Sequence, residues 1–235
     1  MISLFKKELA GYFISPFGFV FLGVFMLTAG IVFTSYNLLG ANGDLAGTFD
    51  LLRNFSFILF PTLTMRIFAE ERRNGAEQLL MTSRLSPADI VLGKFFAACS
   101  VFLMALVVTL VFAGIIFSYG TPNAGSLAAS YLGFFLLGMT MIAICTFISS
   151  FAESQITAAI ASSGTLFFLV LLSSFSRSFS VPVVTPILRA LAITIRYDEF
   201  TRGILRLGPI AYYLSVTVLC ILFTVKALEL RRYGH

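Results

Sequence analysis

Charged positions along this chain are few and clustered, and the gaps between them set its elements. No charged residue falls within 9–43, 95–152, 154–176 or 207–225. A helix needs about 20 apolar residues, each rising about 1.5 Å, to cross the hydrocarbon of a bilayer. The first, third and fourth gaps each hold one such helix. The second holds two, hinged at "SYGTPNAGS" (118–126), where Gly, Pro and Asn mark a turn. A further crossing fits between Arg53 and Arg66 if the two side chains reach opposite interfaces. The pattern thus predicts six spans, near residues 16–36, 49–69, 87–117, 127–150, 155–176 and 207–228. The second is expected to bend at Pro61.

Outside the spans, "MISLFKKELAGYFI" places Ile2, Phe5, Leu9, Tyr12 and Phe13 on one helical stripe, with Lys6, Lys7 and Glu8 off it. That reads as an amphipathic helix lying in the membrane interface. A cleavable signal peptide is the rival, but the apolar stretch is longer than one needs. Residues 177–208 are too charged to span. Thr185-Pro186 and "DEFTRGIL" predict two short re-entrant or interfacial helices on the outer face. A seventh span through "VPVVTPILRALAITI" is rejected, because it is short and carries Arg189 near its centre.

Composition agrees with the pattern. The chain is 58% hydrophobic and 11% charged, far below the charge of soluble domains, and shows no strand alternation. The expected fold class is an all-α integral membrane protein, one transmembrane domain over 1–235. Six spans put both termini on one side. Lys6, Lys7, Arg66, Arg72, Arg73, Arg84, Lys94, Lys226, Arg231 and Arg232 then share that side, against Arg53, Arg177, Arg189, Arg196, Arg202 and Arg206. The positive-inside rule makes the richer side cytoplasmic, which predicts a multi-pass protein of the cytoplasmic membrane with both termini inside. Cys99, Cys145 and Cys220 all fall in spans, so no disulfide framework is implied. His235, the single histidine, reads as a terminal surface residue, and no metal site is expected.

Against this background "FAEERRNGAEQLL" (68–80) is dense in charge. The second span runs out through Glu70, Glu71, Arg72 and Arg73 to Asn74-Gly75, a helix stop. A short helix fits "AEQLLMTSR", with Leu79 and Leu80 adjacent. Ser86, Pro87 and Asp89 then form a capping-box start for a third helix of about 46 Å, long enough to project from the membrane. Apolar knobs framed by charge suit docking into a groove on a soluble partner. A solvated loop whose charges only fix topology accounts for the same residues.

The run "TMRIFAEERRNGAEQLLMTSRLSPADIVLGKFFA" resembles the signature of ABC-2 type transporter permeases, closest to the gliding-motility-associated branch. The matching residues are Arg66, Glu70, Glu71, Arg72, Gly75, Glu77, Leu79, Leu80, Ser86, Gly93 and Lys94. The stretch "RYDEFTRGILRLGPIAYYLS" (196–215) resembles the segment before the last span of that branch. Ala76 and Arg84-Leu85 depart from the pattern, at places where Thr and Pro-Val are common.

The resemblance implies a coupling helix between spans two and three that docks on a separate ATP-binding subunit, with Glu153 in a second contact between spans four and five. It implies that spans two and five border the translocation path, where Phe57, Phe60, Thr64, Ser162 and Thr165 lie. It also implies a homodimer, or a heterodimer with a related permease, acting as an exporter. The chain has no Walker A sequence: Gly93-Lys94 lacks the upstream glycine and the following Ser or Thr. ATP and Mg²⁺ are therefore expected on the partner, with no cofactor and no catalytic residue on this chain. Membrane lipid surrounds it, and no nucleic-acid partner is expected. An ion-coupled transporter or channel is the alternative, disfavoured because the middles of spans one, three, four, five and six carry no charge. A membrane enzyme is disfavoured because no His, paired acids or Cys–His set could carry the chemistry.

Overall fold

The computed structural model describes residues 2–73, 86–119, 123–178 and 193–233, and these are helical with short connections. In chain order the helices are α1 (Ile2–Ile14), α2 (Pro16–Phe33, continued by a π-turn over Thr34–Leu38), α3 (Leu45–Asn54), α4 (Ser56–Thr64) and α5 (Ala69–Arg73). After them come α6 (Pro87–Tyr119), α7 (Ala124–Phe151), α8 (Gln155–Ser178), α9 (Tyr197–Thr201) and α10 (Leu207–Tyr233). Among the described residues five helices are long and apolar enough to cross a membrane: Pro16–Leu38, Pro87–Ser118, Ala124–Phe151, Gln155–Ser173 and Leu207–Arg232.

Helix starts follow local chemistry. Ser15 caps α2 ahead of Pro16, and Asp44 caps α3 by accepting from the Ala46 amide at 2.9 Å. Asn123 caps α7. Ser86 Oγ accepts from the Asp89 amide at 3.1 Å and donates to its carboxylate at 2.7 Å, the capping-box pattern expected there.

Helix α7 is the hub. Some 67% of its apolar window is buried, against 22–39% for the other four, so the bundle is built around it. It touches α3, α4, α6, α8, α9 and α10. Glycines let that happen: a Cβ at Gly138 would overlap the Phe102 ring of α6, and one at Gly133 would overlap Phe200 of α9. Phe102 in turn meets Phe60 edge-on at 5.1 Å and Phe25 at 6.0 Å, which joins α2, α4 and α6 through aromatic faces. Much of the chain's phenylalanine is therefore core, while Phe19, Phe117, Phe168 and Phe223 point outward.

The region expected to form one bent second span is three helices instead. Its break lies at Phe55 (φ −90°, ψ −3°) and again at 65–68, while Pro61 sits inside α4. The reason is that consecutive pieces have different partners. Arg53 on α3 turns inward rather than toward an interface. It is 6% exposed, donates to Thr194 O and Asp198 Oδ1 at 3.0 Å each, and pairs with Asp50 at 2.8 Å. Both α3 and α4 pack on α2 and α7, but α3 also meets α9 whereas α4 meets α8.

Helix α1 forms as expected but lies on protein, against α2 and α6. Leu4 and Tyr12 are buried and Phe5, Leu9 and Phe13 half-buried, while Ile2 is exposed. Gly93 admits the Leu4 side chain. Helix α9, in the stretch expected to be re-entrant or interfacial, packs on α3 and α7 through Tyr197 and Phe200, both fully buried. The segments 74–85 and 179–192, which include the expected coupling helix and the first outer helix, lie outside the described residues.

Candidate functional site

Charged side chains gather at one end of the bundle, where α1 begins, α5 ends and α6 starts. Lys94 sits two turns into α6 with its side chain 1% exposed. A buried ammonium needs compensation. It pairs with Glu71 at 2.7 Å and Glu8 at 3.1 Å, donates to Ile67 O at 2.9 Å, and lies 5.5 Å from the centre of the Phe68 ring. One cation thereby ties α1, the 65–68 turn, α5 and α6 together. Burial raises the Glu71 pKa above the ordinary carboxylate value, and the Lys94 charge only partly offsets it.

Beside this node, Arg66 Nε pairs with Glu70 Oε2 at 2.5 Å, Nη1 donates to Ser15 Oγ, and the guanidinium lies over the Phe17 ring at 4.7 Å. Tyr12 donates its hydroxyl to Leu63 O at 3.1 Å, fixing α1 to the end of α4. A cleft of about 360 Å³ opens between these groups, lined by Lys7, Glu8, Gly11, Tyr12, Arg66 and Glu70 among others.

Arg72 makes the third link. Its guanidinium donates to Ser150 O at 2.9 Å, Phe151 O at 3.3 Å and Ala152 O at 2.6 Å, capping the C-terminal carbonyls of α7 with positive charge. The turn holding Glu153 follows directly, with Glu153 exposed. Of the residues expected to couple to a partner, the structure brings Glu70, Glu71 and Arg72 into one base next to Glu153. Arg73 ends α5, and Ser86 caps α6. Gly75, Glu77, Leu79 and Leu80 lie outside the described residues.

The residues placed on the expected path are mostly packed. Phe60, Thr64 and Ser162 are buried where α4 meets α7 and α8, and Thr64 donates to Phe60 O at 2.9 Å. Phe57 is half-buried against Phe167 at 5.2 Å, and Thr165 is exposed with its hydroxyl on Ala161 O. Sequence reasoning did not assign Glu8, Tyr12 or Arg53 a structural partner. A clue existed for Glu8, a carboxylate off the apolar stripe of a helix beside a span that carries one lone lysine near its start.

Among curated proteins, no sequence matches the chain. A family profile described as "ABC-2 family transporter protein" matches residues 46–225, which takes in α3 through most of α10. With most of its length covered and its long apolar helices gathered round α7, the chain belongs to the ABC-2 transporter family, whose membrane-spanning domains act as permeases rather than as ATPase subunits.

Proposed function

We propose that this chain is the membrane half of an ABC exporter, with six crossings, the second being the broken α3–α4 unit. It works as a homodimer or with a related permease, in the cytoplasmic membrane, with the base and both termini inside. A separate ATP-binding subunit docks on 70–86 and supplies ATP hydrolysis with Mg²⁺. Its substrate is unassigned, and the branch likeness rests on 66–94 and 196–215 alone.

The observation that carries this reading is the Arg72 clamp on the α7 carbonyls, beside the Lys94 node. A displacement applied at 74–85 would reach α1, α6 and α7 through charged contacts rather than through a slack loop. Coupling of that kind needs no bond-making chemistry on this chain.

The experiment is purification of the tagged chain in mild detergent from its native host, with copurifying proteins identified by mass spectrometry. The expected result is an ATP-binding subunit in about one-to-one ratio. Charge reversal at Glu71 or Glu77, or Leu79→Ala and Leu80→Ala, should reduce it. Unchanged recovery in all four variants would remove 70–86 as the docking site. Recovery of the folded chain alone would favour a channel or ion-coupled transporter.

A further inference from the structure

We infer that the cleft between α1 and the base of α4–α6 binds the zwitterionic headgroup of an aminophospholipid, phosphate and primary ammonium together. The inference rests on the membrane reading above, which puts the base on the cytoplasmic side of the bilayer.

Three features of the cleft point there. The first is room that no side chain of this protein explains. Gly11 lies inside α1, where glycine is a poor helix former. A Cβ added there would meet nothing within 4 Å, yet Gly11 lines the cleft. Gly18 and Gly93, by contrast, are held small by Tyr12 O and by Leu4. The second is balanced charge. Lys7, Arg66 and Lys94 line the opening together with Glu8, Glu70 and Glu71. A lone anion would meet three carboxylates and a lone cation three basic groups, whereas a neutral zwitterion satisfies both sets.

The third is unspent hydrogen-bonding capacity of both kinds. Lys7 is exposed at the rim with no ion pair among the described residues, and Arg66 commits Nε and Nη1. Those two supply donors to a phosphate. Glu8 and Glu70 each use one carboxylate oxygen in their pairs, Oε1 and Oε2 respectively, leaving the other to accept from an ammonium. Gly11 lies one turn from both Lys7 and Glu8, at i+4 and i+3, so a single helix presents both charges beside the open position. A quaternary ammonium has no N–H to donate, which separates the proposed ligand from a choline headgroup.

The test is native mass spectrometry of the full chain in detergent, titrated with dioleoyl phosphatidylethanolamine, phosphatidylcholine and phosphatidylglycerol. Phosphatidylethanolamine should be retained at roughly tenfold lower concentration than the other two. Gly11→Leu, which fills the cleft, and Lys7→Ala, which removes a donor at an exposed position, should each abolish that preference. Equal retention of the three lipids overturns the proposal, as does a preference that survives in Lys7→Ala. That second variant decides the matter if Gly11→Leu fails to fold. Water-soluble O-phosphoethanolamine binding as tightly as the lipid would assign the site to a free metabolite and overturn the lipid source. The readout involves no ATPase, so failure to recover an ATP-binding subunit leaves it standing and is scored separately.

Discussion

At the residue scale, Lys94 carries the most consequence. Its side chain is 1% exposed and shared between Glu8 and Glu71. Lys94→Ala would leave two half-buried carboxylates facing each other, so a loss of about 3–5 kcal/mol is expected in thermal or denaturant unfolding in detergent. Lys94→Met, which keeps the volume, should lose nearly as much, because charge and not space is missing. Glu71 gives a pH signature. Its pKa is raised by burial, so the fold favours the protonated acid. The stability it contributes is fully present below the unfolded-state pKa and is lost as pH rises through the raised folded value. The melting temperature of the wild type should therefore fall relative to Glu71→Gln as pH climbs from acid through that window. A difference that stays flat across the range would refute the assignment. None of this pairing is readable from 68–94 alone, since Glu8 stands far earlier in the chain and charge runs do not name their partners.

At the element scale, the helices were largely legible. Ser-Pro starts at 15–16 and 86–87, the Gly-Pro-Asn hinge near 120 and the long uncharged runs mark α2, α6, α7, α8 and α10. The broken stretch 45–73 was not legible as it stands. Proline drew attention to residue 61, whereas the helix breaks at Phe55, and Arg53 just before the break is held by Thr194 and Asp198. Two substitutions probe how elements hold one another. Arg72→Ala removes the cap on the α7 carbonyls, and amides around the start of α8 should exchange about tenfold faster in hydrogen-exchange mass spectrometry. Arg72→Lys should recover only part of this, because an ammonium lacks the guanidinium fork. Gly138→Leu drives a side chain into Phe102 at the centre of the bundle, with an expected cost of about 1–3 kcal/mol in unfolding measurements. Unchanged stability in that variant would mean α6 and α7 are not packed this closely.

At the scale of the whole molecule, the outward faces are apolar: Leu27, Ile31, Val107, Val111, Phe168 and Leu222 are all exposed. Water would not tolerate that surface, and a bilayer does. Cysteine labelling from each side tests how the bundle sits. Cys99 and Cys145 are buried and Cys220 is half-buried, so with Cys220→Ser as the background added thiols report their own positions. Gly43→Cys, Ala124→Cys and Leu205→Cys should label from outside, and Ser86→Cys and Glu153→Cys from inside. Position 43 sharing a side with 86 would mean that α3–α4 does not cross. The sequence by itself determined the membrane class, the five long helices and the permease signature, because length, hydropathy and local capping act within a few turns of chain. Only the tertiary structure decided which charges meet. Burying Lys94, Arg53 and the α7 carbonyls is tolerable only with partners, and those partners arrive from helices that are neighbours in space and distant in sequence.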